Sequence, residues 1–112
     1  MNMATIESGA GIVTHINVFT VEPDKQQELI ASLTETVNEA RNVEGWISAA
    51  IHRSFDGTHV VNYVQFESQA AAQAVTRHLL SRGLIQRNTA LASVAPGQYE
   101  VVYALERGGG AN

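Results

Sequence analysis

The sequence predicts an α+β fold with the element order β-α-β-β-α-β. Three observations predict this order. Segments rich in β-branched residues lie near both ends and in the middle, two segments with helical spacing separate them, and an Asp-Gly turn joins the two central segments. Two crossovers around a hairpin give a four-stranded antiparallel sheet with both helices on one face, the ferredoxin-like arrangement.

The first strand is predicted over residues 12–21, because β-branched residues dominate them. Pro23 follows, and proline suits the first turn of a helix. Apolar residues then recur at three- and four-residue steps and form one stripe along a helix: Leu29, Ile30, Leu33, Val37 and Ala40. Asn42 and Gly45 are predicted to end that helix.

Residues 46–54 and 59–66 are predicted to be the second and third strands. Asp56-Gly57 lies between them, and this pair is typical of tight hairpin turns. The two segments therefore form an antiparallel hairpin at the centre of the chain.

The last part of the chain begins with Ser68, a suitable N-cap for a helix over residues 69–80. A short helical segment is predicted over residues 84–91. After Pro96-Gly97, residues 99–105 are predicted to form the fourth strand. Residues 12–106 are thus predicted to be one domain, with flexible ends at 1–11 and 107–112, which are rich in small residues.

Composition excludes several classes of function. At 112 residues, with 45% hydrophobic and 16% charged residues, the chain has room for one folded domain. A net charge of -4 with seven scattered basic residues argues against nucleic-acid or membrane partners. The chain has no cysteine, so disulfides and thiolate sites are excluded. No apolar run approaches the length of a membrane span, and a soluble cytoplasmic protein is expected.

The predicted sheet has apolar residues on both faces. In the first strand, Phe19 and Val21 alternate with Ile16 and Val18, and the third strand shows the same two-sided pattern. Two helices can cover only one face, so a second surface must shield the other. A second copy of the chain is the simplest cover, and a homodimer is expected.

Asn17 and Asn62 are the first candidate site residues. Asparagine is depleted from strands, yet both lie mid-strand among apolar neighbours. The first and third strands are neighbours in the predicted order, so the two amides can approach each other. One interpretation is that they bond to each other or to nearby backbone. The other is that their NH₂ groups hold a substrate oxygen and stabilise an enolate, as oxyanion-hole donors do.

Four further side chains share the strand faces of these amides. His15 lies on the face of Asn17, where it can accept a proton or form a polar wall, and Phe19 shares that face. Val64 and Phe66 share the face of Asn62. Trp46, at the start of the second strand, is interpreted as a packing residue.

No cofactor site is indicated by the sequence. The four histidines His15, His52, His59 and His78 have no spacing typical of a metal site. Gly9-Ala10-Gly11 precedes a strand instead of following one, so it is not a nucleotide-binding loop. An enzyme with these residues would work without a metal or an organic cofactor.

Two segments carry a resemblance to a known family. These are residues 43–52, Val-Glu-Gly-Trp-Ile-Ser-Ala-Ala-Ile-His, and residues 60–68, Val-Val-Asn-Tyr-Val-Gln-Phe-Glu-Ser, with Asp56-Gly57-Thr58 between them. They resemble the antibiotic biosynthesis monooxygenases, in particular the small anthrone oxygenases of aromatic polyketide pathways. The resemblance spans roughly residues 12–105 and implies a dimeric α+β barrel.

The resemblance also implies a mechanism. A phenolic anthrone-type molecule would lose a proton, and its enolate would react directly with O₂ to give a quinone without flavin or metal. Asn17 and Asn62 match the two site asparagines of the family. The chain departs from the family at three positions, because Phe66 replaces a usual tryptophan, and Ile51 and Ala72 replace tyrosines of the nearest relatives. These three residues are expected to border the substrate.

Two alternatives use the same barrel. A non-oxidative cyclase or isomerase would turn over without oxygen. A small-molecule binding protein without catalysis would bind a ligand and leave it unaltered, with Phe66, Ile51 and Ala72 as signs of a lost active site.

Overall fold

A computed structural model describes residues 11–108 of the chain, and the predicted flexible segments at 1–10 and 109–112 lie outside the described residues. The elements, in chain order, are β1 (Val13–Thr20), a 3₁₀ turn (Pro23–Lys25), α1 (Gln26–Ala40), β2 (Trp46–Arg53), β3 (His59–Phe66), α2 (Gln69–Ser81), α3 (Leu84–Leu91), β4 (Ser93–Ala95) and β5 (Gln98–Tyr99). None of the helices in residues 11–108 has the length and apolar character needed to cross a membrane.

The strands form one antiparallel sheet in the order β2-β3-β1-β4, with β5 also paired to β1. The β1–β3 ladder is continuous from Val13 opposite Phe66 to Thr20 opposite His59. The hairpin turn between β2 and β3 is held by Asp56, whose carboxylate accepts hydrogen bonds from Ser54 and Thr58. The predicted α+β class, antiparallel sheet and neighbouring first and third strands are confirmed.

A strand follows Pro96-Gly97 and pairs with β1 as predicted, but its predicted bounds of 99–105 are wrong, because β5 covers only Gln98–Tyr99. The edge beside β1 is formed by β4 and β5, on either side of Pro96-Gly97, and the Gly97 carbonyl accepts a hydrogen bond from the Ile16 amide. Tyr99 pairs with Thr14, the second residue of β1, so the chain passes the end of its neighbour strand one residue after Tyr99. Residues 100–104 therefore have no ladder partner within residues 11–108 and form no strand.

The core lies between the helices and one face of the sheet, in two apolar clusters. The first contains Phe66 and Val64 with side chains from α1 and α2, and the second contains Phe19 and Val60 with the buried leucines of α1. The opposite face of the sheet is only partly covered: Val18 is 36% exposed, and Ile16 and Val61 are half-buried. One face is thus packed, and the other has apolar side chains near solvent.

Candidate active site

A chamber of about 350 Å³ lies between the sheet and the three helices. Its floor consists of six side chains from β1 and β3: His15, Asn17, Phe19, Asn62, Val64 and Phe66. Leu33, Val75 and Ile85 are among the wall residues contributed by α1, α2 and α3. The volume lies within the range of about 300–1,000 Å³ that is usual for small-molecule sites, and the lining is mainly apolar with few polar groups.

The two amides of the floor are direct neighbours. Asn17 and Asn62 are opposite partners in the β1–β3 ladder, so their Cβ atoms lie on the same face about 4.5–5.5 Å apart. Neither side chain makes a hydrogen bond within residues 11–108, and the buried Oδ1 of Asn62 has no partner there. A buried amide without partners costs roughly 1–3 kcal/mol. Within the described residues the two amides bond neither to each other nor to nearby backbone, so both remain available to a ligand.

His15 borders the chamber two residues before Asn17. Its ring lies edge-on to Phe66, with 4.9 Å between ring centroids, and burial lowers the pKa of the imidazole. The Gln98 amino group lies 3.2 Å from His15 Nε2, and the Gln98 oxygen accepts from Gln69. With the Gln98 oxygen turned toward Gln69, the Gln98 NH₂ group faces His15, and in this arrangement the His15 Nε2 accepts. His15 is thus a neutral polar wall whose Nε2 lone pair is already occupied.

Trp46 borders the chamber because of a β-bulge. The β2–β3 register shifts between Trp46 and Ser48, so Trp46 lies opposite Phe66 and Ser48 opposite Gln65. Without that extra residue, Trp46 would point to the other face of the sheet. Its indole nitrogen is buried and has no hydrogen-bond partner within the described part of the chain. Trp46 was expected from the sequence to be a packing residue, because the bulge that turns it toward the chamber has no sequence signal of its own.

The sequence-predicted site residues separate into two groups. The structure brings six of them together as the chamber floor: Asn17, Asn62, His15, Phe19, Val64 and Phe66. Ile51 instead packs against the apolar cluster of Phe19 and Val60. Ala72 is 1% exposed, packs in the Phe66 cluster, and borders a second, shallower depression beside His15 and Arg77. Neither Ile51 nor Ala72 lines the chamber as far as the structure describes the chain.

Four polar residues of the helices line the chamber, Thr36, Thr76, Asn88 and Thr89, and none of them was expected from the sequence; two of the four are buried. Thr36 on α1 and Asn88 on α3 are 6% and 4% exposed. Thr36 and Asn88 lie on the apolar stripes of their helices. A polar residue on such a stripe is the only sequence feature that could have identified them as site residues. Within residues 11–108, no group of three or more His, Cys, Asp or Glu side chains is placed to hold a metal ion.

Comparison with known proteins gives a match to a family profile and a match to an individual relative. The profile of the family "Antibiotic biosynthesis monooxygenase" matches residues 12–82. The tetracenomycin-F1 monooxygenase of Streptomyces glaucescens is 42% identical over 74 residues, a match that covers 65% of this chain and 66% of that relative. The chain thus spans just under two thirds of the length of this curated relative.

Solved structures show the same fold at low sequence identity. SnoaB, a cofactor-independent oxygenase from Streptomyces nogalater, superposes with a TM-score of 0.73 at 19% identity, over 86% of this chain and 98% of that one. Rv0793 from Mycobacterium tuberculosis gives 0.72 at 22% identity, over 86% and 100%. The family profile matches well over half of the sequence, and the chain belongs to the antibiotic biosynthesis monooxygenase family.

Proposed function

We propose that this chain is a cofactor-free monooxygenase that oxidises an anthrone-like or phenolic polyketide intermediate to a quinone with O₂. The observation that carries the proposal is the pair Asn17 and Asn62, two adjacent unpartnered amides on the floor of an apolar chamber. Membership of a monooxygenase family and the 42% identity to the tetracenomycin-F1 monooxygenase support it.

The reaction balances without a further redox partner. Loss of a proton from the CH₂ group of an anthrone gives an enolate, whose oxygen carries the negative charge. Its carbanion carbon forms a bond to O₂, and the resulting peroxide anion takes up the proton lost in the first step to give a hydroperoxide. Loss of the second hydrogen of that carbon with cleavage of the O–O bond leaves a carbonyl and releases water. One oxygen atom of O₂ is in the quinone, and the other is in water.

The protein would supply orientation and electrostatics to these steps. N–H donors of Asn17 and Asn62 would bind the enolate oxygen, and such donors act strongly where water is excluded. The apolar walls would hold the ring system flat against the floor. The initial base need not be His15, because the Nε2 lone pair of that ring already accepts from Gln98. The phenolate of the substrate itself can serve as base.

We further propose that the working unit is a homodimer. The partly covered sheet face and the segment 100–108 both have apolar side chains near solvent: Val102 is 87% exposed, and Tyr103 and Leu105 are 63% and 61% exposed. A single domain rarely leaves such side chains in water beside an open sheet edge. A second copy would cover both the sheet face and the C-terminal segment.

Oxygen consumption tests the proposed reaction. Metal-free protein, treated with a chelator and colourless in its absorbance spectrum, is mixed with an anthrone in an oxygen electrode. The proposal predicts one O₂ consumed for each anthrone converted, at a rate far above that in buffer. Turnover under anaerobic conditions would instead indicate a cyclase or isomerase, and tight binding of an unaltered ligand would indicate a binding protein.

A further inference from the structure

Asn88 on α3 is fixed by hydrogen bonds to α1. Its Oδ1 accepts from the Ser32 hydroxyl, and its Nδ2 donates to Thr36 Oγ1 over 3.0 Å. Arg87 lies behind this pair, with its Nε donating to Ser32 Oγ at 2.7 Å. Thr36 in turn donates to the Ser32 carbonyl at 2.8 Å. These bonds attach α3 to α1 at the helix side of the chamber.

The direction of every bond in this network is determined. A guanidinium can only donate, so Ser32 Oγ accepts from Arg87, and its own hydrogen remains free to be donated to Asn88 Oδ1. A carbonyl can only accept, so the Thr36 hydroxyl gives its hydrogen to Ser32 O and accepts from Asn88 Nδ2. The amide of Asn88 therefore has one orientation, with the oxygen toward Ser32. An amide flip would place two acceptors or two donors face to face.

One N–H of Asn88 remains unused. The Nδ2 group has two hydrogens, and a hydrogen bond to Thr36 uses only one of them within residues 11–108. Asn88 is 4% exposed and lines the chamber, whose neighbouring wall residues on α2 and α3 include the apolar Leu79 and Ile85. The helix side thus places an immobilised amide with one unused N–H at the wall of the chamber, and the sheet side places Asn17 and Asn62 at its floor.

We propose that Asn88 is a specificity-determining residue that donates its second N–H to an oxygen substituent of the bound aromatic molecule. The oxygen would lie on the edge of the ring system away from the one held by Asn17 and Asn62. This inference rests on the proposed function, because it takes the ligand to be an oxygenated polycyclic aromatic. The chamber would then select rings that carry a phenolic hydroxyl or carbonyl at that edge.

Binding of two matched ligands tests the proposal without any turnover. Emodin and chrysophanol are hydroxyanthraquinones that differ by one hydroxyl on the outer ring edge. Trp46 is the single tryptophan of the chain and lines the chamber, so quenching of its fluorescence reports binding. The wild-type protein should bind emodin about three- to tenfold more tightly than chrysophanol, as expected for one hydrogen bond to an anchored donor.

Asn88→Leu should reduce this preference to about one while the Kd for chrysophanol stays within about twofold of wild type. Ser32→Ala is the matched control, because it breaks the same network but keeps the amide, and it should retain a preference for emodin. Equal wild-type affinities, absence of binding, or equal weakening of both ligands by Asn88→Leu would overturn the proposal. The wild-type comparison stands even if the variant misfolds. If the emodin preference and its loss in Asn88→Leu are observed but the protein consumes no oxygen with an anthrone, only the oxygenase proposal is rejected.

Discussion

Trp46 and Phe66 lie directly opposite each other across the β2–β3 ladder, and both line the chamber. The bulge between Trp46 and Ser48 produces this pairing, and the Gly45 carbonyl beside it accepts a hydrogen bond from the Glu67 amide. The chain therefore has an indole beside Phe66, the position at which the family resemblance implies a tryptophan. The Trp46 N–H, however, is buried without a partner in the described residues.

Replacement of Trp46 by phenylalanine tests whether the buried indole N–H has no hydrogen-bond partner. Trp46→Phe keeps an aromatic ring and removes the unpaired donor, so the free energy of unfolding should stay equal or rise by ~1 kcal/mol. Trp46→Ala, which leaves a cavity, should lower it by about 3–5 kcal/mol. Urea unfolding followed by circular dichroism measures both. A clear loss of stability in Trp46→Phe would mean that the N–H has a partner.

Gly45 should tolerate no side chain. Its φ is +93°, and an added Cβ would overlap with the Cβ of Ala71 on α2. Gly83 is the matched control, because its φ is +73° but an added Cβ meets nothing within 4 Å. Gly83→Ala should cost only the conformational penalty of about 1–2 kcal/mol, and Gly45→Ala should cost more. Thermal unfolding of the two variants gives the comparison, and equal losses would contradict the close contact with α2.

The stability of the protein should depend on His15 as the pH falls below 6.5, the ordinary pKa of the imidazole. Burial lowers the folded-state pKa of His15 below 6.5, so the unfolded chain binds more protons in this window. The stabilisation is present above the unfolded pKa and is lost as the pH falls through the folded pKa. The pKa values of Glu39 and Asp56 are lowered from 4.5 and 3.8, so the stabilisation that these two carboxylates contribute is lost only at lower pH.

His15→Gln should therefore flatten the dependence of the free energy of unfolding on pH in this window. Urea unfolding at half-unit pH steps measures it. An unchanged slope in the variant would show that the imidazole is not buried as described.

The C-terminal segment should be required for dimer formation. Placing charges on two exposed apolar positions, Val102→Asp with Leu105→Asp, should dissociate the proposed dimer because it buries carboxylates without partners. Phe55→Asp is the control, since Phe55 is fully exposed in the β2–β3 hairpin. Size-exclusion chromatography with light scattering gives the mass of each protein. A wild-type monomer, or a charged variant that remains dimeric, would contradict the proposal.

The sequence predicted the floor of the chamber because strand periodicity determines it. Alternation places Asn17 with Phe19 and Asn62 with Phe66, and the strand order then makes the two asparagines neighbours. The same rules predicted the helices, since their apolar spacing is regular. These features depend on the local spacing of apolar residues and on the rule that places the first and third strands side by side in this element order.

The features that the sequence did not predict depend on tertiary context. The final edge strand was expected to lie wholly after Pro96-Gly97. Two short strands, β4 and β5, lie on either side of that pair instead, because β1 extends only far enough to pair up to Tyr99. The bulge at Trp46 changes the side-chain face within an ordinary strand sequence. The role of Asn88 depends on how α3 packs against α1, which no local pattern specifies.

The most direct test of the account is the oxygen-uptake rate of Asn17→Ala and Asn62→Ala with an anthrone that the wild-type protein oxidises. If the two amides stabilise the enolate, each variant should lose about 10²–10³-fold in kcat while remaining folded. Asn38→Ala, on the exposed side of α1, should keep the wild-type rate. Full activity in the Asn17→Ala, Asn62→Ala double variant would contradict the account.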